Sequence, residues 1–235
     1  MFSNVQVNSS LTMESSRFAV FIFSKTAGYR HESIPAGIEG IQRLGDSSGA
    51  FTVDSSEDAS LINAKNLSRY AVVIFLQTSG DFLTRDQLVG LQSYVRSGGG
   101  FVGIHCAACG MTREPWYNEL IGAVFTDHPE PQRGVLAAEN EDHFITSSLP
   151  AKWEWFDEWY NFDRNPRAVV TVLLSIDEKT YTGGKHSEDH PIAWCREFDG
   201  GRSFYTSLGH FDGAYSDQKF MSHILNGILW AAQKT

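Results

Sequence analysis

Short, continuous apolar runs alternate along this chain with segments whose apolar positions recur every three or four residues. Phe18 to Phe23 (FAVFIF) and Tyr70 to Leu76 (YAVVIFL) are rich in strand formers and have no polar face, as expected of parallel strands covered on both sides. Between them Ile34, Ile38, Ile41 and Leu44 fall at helical spacing, with Pro35 tolerated in the first turn, and Phe51 to Val53 reads as a short strand. Thr84 to Ser97 predicts a helix that Thr84 can cap, and Gly98 to Gly100 ends it before a strand from Phe101 to Ile104. Later, Trp116 to Val124 predicts a helix, and Gly134 to Ala138 and Ala168 to Ile176 predict strands. Ile192 to Phe198 and Ser203 to Leu208 read as a strand pair about the turn Asp199-Gly200-Gly201, and a helix over Asp217 to Ala232 closes the chain. The expected fold is α/β, with a doubly wound, mainly parallel sheet flanked by helices. One domain, 17–235, is expected to follow a loose extension, 1–16, in which Met13 is a candidate alternative start.

In such folds ligands bind where strands end, and His31 and His105 follow the first and fourth predicted strands. The segment GGGFVGIHCAACG, Gly98 to Gly110, reads as a buried strand running into a sharp turn. A strained apex needs small neighbours two positions before and after it, and Gly103 and Ala107 place that apex at His105. Cys106 fails the same test because Ile104 would crowd the turn. A histidine therefore stands where many α/β enzymes carry a Ser or Cys nucleophile.

A net charge of -9 argues against nucleic acid as a partner and favours a small neutral or weakly charged substrate. Three cysteines, Cys106, Cys109 and Cys195, are too few for a disulfide framework, which points to a reducing, cytoplasmic setting. No segment has the length of a membrane span or the pattern of a signal peptide, so no membrane partner is expected; homo-oligomer formation is left open.

Polar residues that a plain core would not select gather in Gly28 to Glu32, the turn at His105, Phe125 to Pro129, Trp153 to Phe162 and Ser207 to Asp212. Histidines at strand ends can serve as acid, base or ligand. A loop histidine is more often a structural group, and that reading is taken for His143, His186, His190 and His223. Within WEWFDEWYNF, Asp157-Glu158 is either an ordinary half-exposed face or a carboxylate whose pKa the tryptophans raise. Trp153, Trp155, Trp159, Tyr160 and Trp194 are either core or stacking surfaces for a sugar ring.

GGGFVGIH (98–105), WYNELIGAVFTDHP (116–129), DEWY (157–160), HPIAW (190–194) and GRSFYTSLGH (201–210) stand in an order that resembles the ThuA-like (trehalose utilisation) family, a branch of the class I glutamine amidotransferase-like superfamily. The resemblance spans about 18–232 and implies a flavodoxin-like fold and a role in the use of trehalose, related disaccharides or their 3-keto derivatives. Matching motif positions implies a polar centre of His31, His105, His128, Glu158 and His210, with Tyr160 and Trp194 as pocket walls and Arg30 and Asp157 as further substrate contacts. Arg202 is expected to support a strand end or meet an anion. Without a thiol at 105, His186-Ser187-Glu188 has nothing to activate, so glutamine hydrolysis is not expected. The expected activity is acid-base chemistry on a sugar or hydroxy-ketone: isomerisation, elimination or hydrolysis. In one variant His31, His105, His128 and either Glu158 or His210 grip a divalent ion such as Zn²⁺. The alternative is a non-catalytic carbohydrate-binding or regulatory protein on the same scaffold.

Overall fold

Side chains of a strand alternate between faces, so a continuous apolar strand demands cover on both, and that requirement organises the molecule. The computed structural model describes residues 17–235; the expected extension, 1–16, lies outside the described residues. In chain order the elements are β1 (Phe18–Phe23), α1 (Ile34–Ser48), β2 (Phe51–Ser56), α2 (Ala64–Leu67), β3 (Val72–Leu76), α3 (Arg85–Arg96), β4 (Gly100–Ile104) and α4 (Pro115–Ile121). There follow β5 (Phe125–Asp127), β6 (Gln132–Ala138), β7 (Lys152–Asp157), β8 (Asn161–Phe162), β9 (Thr171–Asp177), β10 (Pro191–Phe198), β11 (Gly201–Thr206) and α5 (Gln218–Ala231).

Val20 and Ile22 of β1, Val72 and Ile74 of β3 and Val102 and Ile104 of β4 pack with Ile41 of α1 and Ile224 and Ile228 of α5. Phe21, Phe23, Val73, Phe75 and Phe101 of the same strands face the other way, onto Leu88, Leu91 and Val95 of α3 and Leu120 and Ile121 of α4. Thr84 caps α3 in a full capping box with Gln87. At the β10–β11 turn Asp199 and Gly200 both have positive φ (+48° and +94°), the mirror-image turn that matches strand twist.

The nine-stranded sheet has the order β2-β1-β3-β4-β11-β10-β9-β6-β7. β2, β1, β3, β4 and β11 run parallel, whereas each later neighbour is antiparallel. The expected mainly parallel sheet thus carries an antiparallel extension beyond β11. Two reversals from β11 to β9 and two more to β7 restore the original direction, so β7 ends on the same rim as β1, β3, β4 and β11. A flat sheet would hold β7 about 19 Å from β11, four strand spacings away. Yet the Asp157 carboxylate lies 2.9 Å from the Gly209 amide, and Trp155 stacks on Phe220 of α5. The antiparallel half therefore curls back over the rim and brings Glu158 to it.

Candidate functional site

The turn after β4 is tight and strained: His105 has φ +52°, a left-handed conformation that costs a residue with a Cβ about 1–2 kcal/mol. Gly103, two positions before it, packs closely on the core: a Cβ there would stand 3.1 Å from both Ile121 and Tyr205. The imidazole is fully buried, and its Nδ1 donates to the Ser207 carbonyl oxygen at 2.6 Å. That bond orients the ring and turns Nε2 toward the site, 2.8 Å from the Tyr160 hydroxyl.

Four chain segments converge on this nitrogen. Glu158 Oε2 lies 3.4 Å from His105 Nε2 and 3.0 Å from His210 Nδ1, and the two imidazole nitrogens are 3.3 Å apart. His31 sits edge-on to both rings, 4.8 Å from that of His105 and 5.0 Å from that of His210. One donor atom from each of His31, His105, Glu158 and His210 falls within 4.8 Å of the others. His128 stands outside this group, with Nε2 3.5 Å from the second oxygen of Glu158 and Nδ1 donating to the Pro129 carbonyl. The cluster borders a cavity of about 610 Å³ lined by Gly28, Tyr29, His31, Ser79, Gly80, Cys106, Cys109, Phe125, His128, Glu158 and Tyr160. A second cleft of about 410 Å³, lined by Tyr29, Glu32, Phe211 and Asp212, also reaches His31 and His210.

Burial pushes the Glu158 carboxyl pKa up, but hydrogen bonds from His105 and His210 and their charge outweigh it and hold the pKa well below the usual range. This reverses the expectation that aromatic shielding raises a carboxylate here. His31 is lowered to about 3, by burial first and by the charges of His105 and His210 second. Its Nδ1 is buried without a partner.

Other expected contacts lie elsewhere. Trp194 belongs to the core: its indole donates to the Ile121 carbonyl at 2.6 Å and packs on Tyr205 and Phe162, away from both cavities. Arg30 is exposed and pairs with Glu57. Asp157 does not face the cavity. Its Oδ1 accepts the Glu158 and His210 amides at 3.0 and 3.2 Å, and its Oδ2 accepts the Trp155 indole and Gly209 amide, each at 2.9 Å. It braces Glu158 against the His210 loop. Arg202 meets the Trp230 carbonyl and ring. Cys106 and Cys109 line the cavity wall. His186 accepts the Phe162 amide while Glu188 pairs with Lys179 on the surface, so the two form no catalytic pair.

Sequence reasoning missed Gln77, Ser79 and Gly80. Buried Gln77, with φ +52°, donates to the Gly209 carbonyl and the Tyr215 hydroxyl and so holds the His210 loop. Ser79 ties the loop after β3 to that after β1 through the Tyr29 carbonyl. The signal lay in the abrupt change from YAVVIFL to QTSG at a strand end.

A model of the family described as ThuA, trehalose utilisation, matches residues 19–231, and the chain belongs to that family. Its structure is similar to a ThuA-like protein from Bacteroides uniformis (29% identity, TM-score 0.77, covering 92% of this chain and 91% of that one). A ThuA-like protein from Parabacteroides merdae is 19% identical with TM-score 0.77, covering 92% and 90%, and shares the fold. A cytoplasmic protein from Salmonella typhimurium shares it more distantly, at 12% identity and TM-score 0.62, covering 91% and 98%. No curated protein matches the chain. Among the described residues no helix is long and apolar enough to cross a membrane.

Proposed function

We propose that this protein is a cytoplasmic enzyme that moves protons on a sugar, keto-sugar or related hydroxy-ketone bound in the cavity beside His105. The observation that carries this reading is one nearly buried carboxylate, Glu158, within 3.0–3.5 Å of His105, His210 and His128 beside the cavity. A C–H next to a ketone is acidified by the carbonyl, and a carboxylate can remove its proton if a donor stabilises the oxygen. Glu158 takes the proton; the Tyr160 hydroxyl and an imidazole of His128 or His210 supply hydrogen bonds to the developing enolate oxygen. Returning the proton to the neighbouring carbon isomerises the substrate, and expelling a β-oxygen eliminates it. Phe125 and Tyr29 offer ring faces to the apolar side of a sugar. The absence of a thiol at the apex sets glutamine hydrolysis aside. Membership of the trehalose-utilisation family supports a carbohydrate as the substrate class.

Deuterium wash-in tests the proposal. A 3-keto-glucoside incubated with the protein in D₂O should exchange the hydrogen next to its carbonyl, with Glu158→Gln slowing exchange about 100-fold or more. Exchange at the same rate in Glu158→Gln and His105→Ala refutes it, and ligand binding without any exchange favours a carbohydrate-binding role instead.

A further inference from the structure

We propose that His31, His105, His210 and Glu158 bind one divalent transition-metal ion. Bonds of 2.0–2.1 Å in a tetrahedral site separate neighbouring ligand atoms by about 3.3 Å. His105 Nε2, His210 Nδ1 and Glu158 Oε2 form a triangle with edges of 3.3, 3.0 and 3.4 Å, three corners of such a figure. The donor atom of His31 completes the set within 4.8 Å of the rest.

Hydrogen bonding alone does not account for the arrangement. Because Nδ1 of His105 is committed to the Ser207 carbonyl, its one remaining nitrogen, Nε2, faces the Glu158 carboxylate, His210 Nδ1 and the Tyr160 hydroxyl at once. His31 lies edge-on to the His105 and His210 rings, and its buried Nδ1 has no hydrogen-bond partner. A cation held among the donor atoms would satisfy them together. Ring orientation is already fixed from behind, by the Ser207 carbonyl for His105 and by Asp157 on the His210 backbone, as the outer partners of metal ligands usually provide.

Three imidazole nitrogens and one carboxylate oxygen suit Zn²⁺, Ni²⁺, Co²⁺ or Fe²⁺, and not Mg²⁺ or Ca²⁺, which take oxygen-only sets. One carboxylate leaves the occupied site net positive, which favours a substrate oxygen carrying negative charge. His31 and Glu158 open onto the cavity, so a substrate oxygen could join as a fifth ligand. His128, the fourth histidine of the expected set, stays outside, leaving it free to carry protons. As part of catalysis the ion rests on the proton-transfer reading; as a binding site it stands on geometry alone.

Equilibrium dialysis of the chelator-stripped full chain against Zn²⁺, Co²⁺ and Mg²⁺ tests it, with metal content measured on protein whose near-ultraviolet circular dichroism is native. Wild type should take up about one Zn²⁺ or Co²⁺ per chain and no Mg²⁺. His105→Ala and Glu158→Gln should each weaken binding about 100-fold or more, whereas His128→Gln and Tyr160→Phe should keep the full stoichiometry. Uptake below about a tenth of an equivalent by folded wild type, or retention of the ion by both ligand variants, overturns the proposal. Uptake is read without substrate, so its failure leaves the proton-transfer reading standing, and a failure of deuterium wash-in leaves the metal site standing.

Discussion

Asp157→Asn isolates the brace beneath the site, because it keeps size and shape while removing one acceptor. In the native protein each carboxylate oxygen receives two N–H groups, one of which belongs to the loop carrying His210. Whichever way the asparagine amide turns, its NH₂ meets two buried donors, and one of them is the amide of Gly209 or His210. Leaving two buried donors unpaired costs about 1–3 kcal/mol each, so the loss should be roughly 2–6 kcal/mol. For a chain of this size 1 kcal/mol moves the thermal midpoint by about 2–4 °C, which puts the expected fall at roughly 4–24 °C. Urea unfolding gives the free energy directly, and Trp155→Phe supplies the control. That substitution removes the indole donor, so the amide can turn toward Oδ2 and orphan only Gly209; Asp157→Asn should then cost about 1–3 kcal/mol less than in wild type. The same release should loosen the 3.0 Å Glu158–His210 contact and slow deuterium wash-in more than it weakens ligand binding. A change of under about 0.5 kcal/mol, or strict additivity of the two substitutions, refutes the brace.

Gly80→Ala should destabilise the cavity wall by about 2 kcal/mol or more in urea titrations, because Gly80 has φ +71° and a Cβ there would meet Gly28 N at 2.7 Å, backbone that cannot yield. Trp194→Phe should lower stability by about 1–3 kcal/mol by orphaning the Ile121 carbonyl, while sugar binding by calorimetry stays unchanged; weakened binding at native stability would return Trp194 to the pocket. His223 is buried, with neither ring nitrogen well partnered and only the backbone of Ile145 offering weak help, and burial lowers its pKa to about 3. The unfolded chain takes up that proton near pH 6.5 and the folded one does not. Stability should therefore fall by up to about 1.4 kcal/mol per unit as pH drops from 6.5 toward 3. His223→Leu should flatten that slope in urea midpoints between pH 7 and 5, and an unchanged slope would show that other groups set it.

The parallel half of the sheet was legible because a strand covered on both faces must be apolar at every position, and FAVFIF, YAVVIFL and the run before His105 admit no other reading. The antiparallel half was not. β7 alternates exposed and half-buried residues, so WEWFDEWYNF reads as one aromatic run when it is an edge strand, a turn and the two-residue β8. HPIAW shows the same ambiguity at single-residue scale, since nothing in the spacing distinguishes a tryptophan facing a cavity from one facing α4. Glu158 is singled out by the sequence, but the direction of its pKa shift is not legible there. The tryptophans beside it in sequence suggest a low dielectric, whereas the histidines that decide its protonation come from the ends of β4 and β11.

What the sheet's curl accomplishes follows from that geometry. A purely parallel sheet presents at its rim only the loops of its own few strands, and here those supply His31, His105 and His210 to the cluster but not its carboxylate. The antiparallel extension travels out by β10, β9 and β6 and returns through β7, delivering a carboxylate to a strand end that already holds three imidazoles. Asp157, one residue earlier, anchors the arrival with four hydrogen bonds, and Tyr160, two residues later, covers the His105 nitrogen. With an imidazole at the apex, the site is completed by groups brought from elsewhere in the chain, and the short DEWY segment supplies Asp157, Glu158 and Tyr160 together.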